Sequence, residues 1–272
     1  MGAPSPPPAR PTGVSLNLVD IHSHIFWGMD DGADTRETTL SMLRVARESG
    51  TTDIVGTPHA NADSAPDAGE IARQLEDLNA AVNGSPRIHS GYELHVTYDA
   101  IQDALANPRK YTVNGRNFLL LEFAGQIAPS AEDVLDRLAG AGMDPIVAHA
   151  ERIPALSESL DRIEKWCQRG VLVQITAKSL EGGFGARAMH AGWKMLERGL
   201  VHFVASDAHD PQYRPPRLDL ARELVVRKMG EDAADLLFTY NPSIVVEGRD
   251  AALVRPAAAQ PKRGWLSFLT GR

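Results

Sequence analysis

"NFLLLEFAGQIAPSAEDVLDRLAGAGMDPIVAHAER", residues 117–152, reads as a strand, a helix and a second strand. Residues 117–123 form an almost unbroken apolar run, the pattern of a strand covered on both faces. Residues 130–141 carry helical spacing, and residues 145–148 are again short and apolar. A strand that returns to a strand through a helix pairs with it in parallel. Each of these strands also ends in a group that could bind a cation, Glu122 after the first and His149 after the second, with Arg152 just beyond.

The unit repeats outward in both directions. Further strands are expected at 16–21, 53–57, 87–94, 171–176 and 201–205, and helices at 67–82, 157–169, 184–198 and 216–229. Asp34 followed by Glu37 resembles a capping box. It would open a helix that places Leu40, Leu43 and Ala46 on one face and stops at Gly50. Strand then helix, repeated along the whole body, predicts a parallel sheet with helical crossovers. Nothing interrupts the alternation, so residues 15–250 are assigned to one domain. Periodicity alone does not separate a closed barrel from an open sheet.

Composition narrows the class. The chain has 272 residues, 43% of them hydrophobic, which is enough for one sizeable core. A net charge of −7 argues against a nucleic-acid binder, which presents a basic face. Cys167 is the only cysteine, so no internal disulfide can form, and the expectation is a reducing, cytoplasmic compartment. No apolar stretch approaches the roughly 20 residues that span a bilayer. Residues 1–14 are proline-rich, lack the apolar segment of a signal peptide and read as a disordered lead. Residues 251–272 read as a flexible tail that combines basic residues with Trp265, Leu266, Phe268 and Leu269. Such a tail is either inert or a weak docking element for a membrane surface or a protein.

In parallel α/β folds the chemistry collects at the carboxyl ends of the strands. There the sequence places His22 and His24, His59, Glu93, Glu122, His149, and Asp207 with His209; Asp31 follows in the first loop. A single histidine at a strand end is usually a hydrogen-bonded structural residue. Nine such groups on one rim are different, because unpaired carboxylates are costly to desolvate. Metal ions supply the missing positive charge. Imidazole and carboxylate without thiolate suit Mn, Fe, Zn or Co. Nine ligands exceed the needs of one ion, so two or three are expected. Closely spaced ions serve phosphoesterases and amidohydrolases alike. Arg152 and Arg214 favour phosphate, whose oxygens an arginine fork matches. A phosphocysteine route is not expected, since Cys167 lies within a helix and Val173 stands six positions later, where that route needs an arginine. No GxSxG turn is present.

"DIHSHI…DDG", "TPH", "GYE", "LEF", "AHAER" and "SDAH…RPP", in this order, resemble the PHP (polymerase and histidinol phosphatase) superfamily. The nearer resemblance is to its bacterial protein-tyrosine phosphatases, encoded with capsule and exopolysaccharide export systems. The resemblance implies a single distorted (β/α)7 TIM-like barrel with a trinuclear, manganese-preferring site, Fe, Zn, Co or Mg being the alternatives. It implies His22, His24, Asp31, His59, Glu93, Glu122, His149, Asp207 and His209 as ligands, and Arg152 and Arg214 as phosphate-binding residues. Asp31 is preferred over Asp30 because its spacing from His24 matches the family; Asp30 is read as a loop or supporting group. The implied substrate is phosphotyrosine in the tail of a bacterial tyrosine kinase that controls polysaccharide export. A metal-bridging hydroxide is expected to attack phosphorus directly, with no covalent intermediate, and His209 or His59 is expected to assist the leaving oxygen. The rival readings are a phosphatase of a small phosphomonoester such as histidinol phosphate, and a non-catalytic PHP scaffold. The chain departs from the family at Ala60 and Asn61, where a second histidine is common, at Lys178, where a small residue is usual, and at Trp27, which could stack on an aromatic substrate.

Overall fold

The computed structural model describes residues 16–61, 65–123, 127–128, 130–249 and 253–256. Its strands are β1 (Leu18–Ser23), β2 (Thr51–Gly56), β3 (His59–Ala60), β4 (Arg87–Ser90), β5 (Glu93–His95), β6 (Phe118–Glu122), β7 (Asp144–Val147), β8 (Leu172–Thr176) and β9 (Phe203–Ala205). Between and after them run α1 (Arg36–Glu48), α2 (Ala68–Ala81), α3 (Tyr98–Ala106), α4 (Ala131–Gly140), α5 (Pro154–Ser157), α6 (Leu160–Gln168), α7 (Ala177–Leu180), α8 (Gly185–Glu197), α9 (Asp219–Met229), α10 (Glu231–Asp235) and α11 (Asn241–Glu247). Every strand pair is parallel.

The strands form one sheet in the order β1-β2-β4 and another in the order β3-β5-β6-β7-β8-β9. The expected strand at 87–94 is therefore two strands with different neighbours. The break follows from the preceding pair: Pro58 has no N–H to continue the ladder beyond β2. Gly91 donates to the Gly56 carbonyl and Glu93 to the Pro58 carbonyl, so the chain steps from one sheet to the other at that level. Past β9 the sheet curls back to β1. Ser23 bridges Ala208 in parallel, His24 N donates to Ala208 O at 2.8 Å, and Asp207 N donates to His22 O at 2.9 Å.

Alternate residues of a strand face opposite sides. On one side Phe118, Leu120, Ile146, Ala148, Phe203 and Ala205 pack against Ile244, Val245 and Val246 of α11. On the other, Leu119, Leu121, Val147, Val173, Ile175 and Val204 join the larger core under the helices. Each fully buried side chain of this size contributes roughly 1.5–3 kcal/mol. Glu122, Gln174 and Asp207 continue the first set in phase toward the carboxyl ends of their strands. α11 thus seals the inner face at its base, and the polar groups stand above it.

Several boundaries differ from expectation. α1 is capped by Thr35, whose hydroxyl accepts from Thr38 N; Asp34 instead accepts from the Thr38 hydroxyl. α3 was not expected, and Thr97 caps it by accepting from Ala100 N. The helix expected at 157–169 is α6, which starts at Leu160 after the separate turn α5, and α9 begins at Asp219 because Pro215 and Pro216 precede it. The lead at 1–14 and the tail's Trp265, Leu266, Phe268 and Leu269 lie outside the described residues. Among the described residues no helix is long and apolar enough to cross a membrane.

Candidate metal centre

His22 and His24 point to one side at the end of β1, with their Nε2 atoms 3.3 Å apart. The structure fixes which nitrogen of His22 is available. Gln174 Oε1 accepts from the backbone N–H of His149 at 2.9 Å, so the amide oxygen faces this way. The same oxygen lies 3.2 Å from His22 Nδ1, which must therefore carry the proton. The lone pair of Nε2 is left for the cluster. Asp30 does the same for His24: its Oδ2 lies 2.6 Å from His24 Nδ1 and accepts from His59 N at 2.9 Å. Burial alone would raise the Asp30 pKa, but the bonds from His24, His59 N and Gly32 N hold it at about 2. Gly32 is required, because a Cβ there would fall 2.2 Å from the His24 carbonyl oxygen.

Glu93 is the hub. Its Oε2 lies 3.2 Å from His22 Nε2, 3.4 Å from His24 Nε2 and 3.2 Å from His59 Nδ1. Its Oε1 lies 2.8 Å from His149 Nε2. Yet Glu93 Oε2 is buried and no hydrogen bond satisfies it. Three imidazole nitrogens therefore gather round a buried carboxylate oxygen that none of them satisfies, a grouping that a cation would complete. Glu122 approaches from β6, 3.4 Å from His59 Nδ1. Asp31 Oδ1 lies 3.4 Å from His59 Nε2 and 3.3 Å from His209 Nε2. All nine residues expected as ligands meet at this one place.

Eight of them, all but Asp207, fall with His95 into overlapping sets whose ligand atoms lie within 4.8 Å of one another: His24, Asp31, His59 and His209; His22, His24 and Glu93; Glu93, Glu122 and His149; and His59, His95 and Glu122. His149 and Asp207 hold left-handed backbone, with φ of 33° and 52°, uncommon for residues other than glycine.

Asp207 links this cluster to the arginines. Its Oδ1 lies 3.6 Å from both His22 Nε2 and His24 Nε2. Its Oδ2 accepts from Arg152 at 2.5 Å and from Arg214 at 2.7 Å. Phe184 lies against both guanidinium groups, 4.4 and 5.6 Å from ring centre to carbon. Electrostatics matches the geometry. Burial opposes charge on His22 and His24, but Glu93 and Asp207 outweigh it and raise both, His24 strongly. Burial also opposes charge on Glu93, yet His22 and its other partners hold that carboxyl well below the usual range. Burial and the neighbouring His24 and Arg214 bring His209 down to about 4.

Sequence reasoning did not select His95, Gln174 or Phe184. His95 and Gln174 left signals: His95 follows Glu93 by two on one strand, and Gln174 is the lone amide in an apolar run. Phe184 left none, being one apolar residue of a glycine-rich turn. Trp27 packs partly buried against the core. The Lys178 stem lies where a Cβ on Gly183 would stand, at 2.5 Å. Cys167 is half-buried in α6, its Sγ lies 3.5 Å from the Leu200 carbonyl oxygen, and burial raises its pKa.

The model of the family described as capsular polysaccharide synthesis, CpsB/CapC, matches residues 18–247. The chain is 34% identical to CapC of Staphylococcus aureus over 205 residues, 73% of this chain and 79% of that protein. It is 29% identical to the tyrosine-protein phosphatase CpsB of Streptococcus agalactiae serotype V over 248 residues, 85% of this chain and 98% of that one. The fold is similar to a chain from the crystal structures of YwqE from Bacillus subtilis and CpsB from Streptococcus pneumoniae, described as unique metal-dependent tyrosine phosphatases. That match has a TM-score of 0.81 at 27% identity and covers 90% of this chain and 100% of the other.

Proposed function

The chain belongs to the CpsB/CapC family of capsular polysaccharide synthesis, and on that premise we propose that it is a metal-dependent protein-tyrosine phosphatase. The observation that carries the reading is the buried, unsatisfied Glu93 Oε2 among three imidazole nitrogens, beside two arginines gathered on Asp207. The nine residues are read as ligands of two or three ions, with Mn2+ preferred, in a barrel of seven strand positions spanning residues 15–250. Bound there, the ions supply an activated water and positive charge for phosphoryl transfer.

The side chains do the rest. Arg152 and Arg214 present N–H forks that match phosphate oxygens, and charge building on those oxygens is stabilised where the donors already stand. Phe184 holds both guanidinium planes. His209 keeps Nδ1 on the Asp207 carbonyl at 3.1 Å, so Nε2, 3.3 Å from Asp31 Oδ1, is the atom left to bind a metal. Arg152 and Arg214 stay partly exposed, at 30% and 26%, so a phosphate carried on a polypeptide can reach them. An amide substrate has less use for two such forks. The partner proposed is the phosphotyrosine-containing tail of a bacterial tyrosine kinase that controls polysaccharide export.

The test is a panel of phosphotyrosine peptides, histidinol phosphate and p-nitrophenyl phosphate. Preference in kcat/KM for the peptides supports the reading. Preference for histidinol phosphate would make it a small-molecule phosphatase, and metal binding without turnover on any of them would make it a scaffold.

A second expectation concerns protons. Glu93 and Asp207 raise the pKa of His22 and His24, His24 strongly, so the metal-free cluster favours protonated imidazole. A metal needs the neutral imidazole. Metal binding should therefore release at least one proton and weaken as pH falls. Titration calorimetry in buffers of different ionisation enthalpy reads the release directly; identical heats in all of them would contradict it.

A further inference from the structure

His95 has no part in the roles assigned above. It stands on β5 two residues beyond Glu93, so its side chain leaves the strand on the same side. Its Nε2 lies 2.6 Å from Glu122 Oε2 and 3.3 Å from His59 Nδ1. The Glu122 oxygen is buried, and despite this short distance no hydrogen bond satisfies it. A plain ion pair would align the N–H with the carboxylate. Here two ring nitrogens and one carboxylate oxygen close on a shared point, the same pattern as at Glu93.

We propose that His95 is a further metal ligand, binding through Nε2 beside Glu122 on the solvent side of the centre. Imidazole with carboxylate suits the same ions as the rest of the cluster. His59 explains the need for it. His59 turns Nδ1 toward Glu122 and His95, and Nε2 toward Asp31. A neutral imidazole lends a metal only one nitrogen. When His59 binds beside Asp31 and His209, His95 keeps an imidazole on the Glu122 side. His95, His59 and Glu122 are 34%, 29% and 22% exposed, so an ion held there has positions open to water or substrate.

The proposal rests on the metal-dependent reading, and the experiment separates the two. The full-length protein is stripped with chelator and titrated with Co2+, following the visible ligand-field bands and the metal retained after dialysis. His95→Ala should retain fewer ions, or bind the last about tenfold or more weakly, with altered bands. His95→Asp, which restores a ligand, should recover the count. Without a metal the added carboxylate would only repel Glu122. His190→Ala, an exposed histidine of α8, should titrate like the parent. If circular dichroism shows that the alanine variant is unfolded, His95→Gln, which keeps the bulk but ligates poorly, takes its place. Unchanged bands and metal count in the folded variant would overturn the role of His95 alone. A parent protein that retains no Co2+ would overturn the metal reading and this proposal with it.

Discussion

Exhaustive chelation should abolish phosphotyrosine hydrolysis, Mn2+ should restore it, and iodoacetamide should leave the restored activity untouched. The first result follows from charge. Glu93 and Asp207 stand within 3.6 Å of His22 Nε2 in a buried space; Arg152 and Arg214 reach only Asp207, so without cations protons on the histidines must balance Glu93. Without cations the cluster lacks the charge that lowers the pKa of a bound water toward neutrality. The third result follows from Cys167, which is half-buried on α6 with its pKa raised by burial and is no thiolate nucleophile. His22→Ala should reproduce the chelated state, since Glu93 then loses a buried partner as well as a ligand. Metal bound to the native state also stabilises it, by about 2.7 kcal/mol at a hundredfold excess over Kd. The melting temperature should therefore fall with the activity and recover with it. Turnover that survives complete metal removal would sink the mechanism.

The residues that could be read from the sequence are those whose position follows from strand alternation. Glu122 and His149 end apolar runs, and each arrives where the run predicts. His22 and His24 meet as alternation requires, although the β1–β2 register slips between Asp20 and Ser23. What the sequence did not disclose depends on the sheet's curl. The division of 87–94 into β4 and β5 is set by hydrogen bonds to Gly56 and Pro58, residues distant in the chain. The sealing of the inner face by α11 is a tertiary fact, because "NPSIVVEG" looks like any short apolar segment. The role of Gln174 needed both of its partners, His22 and His149, to be placed. Asp30 and Asp31 are adjacent in sequence and differ only in aim: Asp30 is bonded to His24, while Asp31 is 64% exposed and faces His59 and His209.

Arg214→Ala should lower kcat by about 10²–10³, the usual loss when one prepositioned donor to a developing oxyanion is removed, while the metal content stays that of the parent. The division of labour at Asp207 is the reason. Its Oδ2 takes the arginines and its Oδ1 faces His22 and His24, so losing one guanidinium leaves the metal-facing oxygen in place. Arg152 still bonds Asp207, which limits the disturbance. Arg214→Lys should recover little, because a point charge does not reproduce the planar fork or its contact with Phe184. The loss in the Arg152→Ala, Arg214→Ala double variant should be smaller than the product of the single losses, since both residues share one carboxylate oxygen and one aromatic ring. Asp207→Ala should differ in kind, losing turnover and metal together. Metal analysis beside steady-state kinetics on a phosphotyrosine peptide distinguishes these cases. If Arg214→Ala lost metal as Asp207→Ala does, the arginine would be a brace for a ligand and not a phosphate-binding group. If it kept full kcat and KM, neither role would stand.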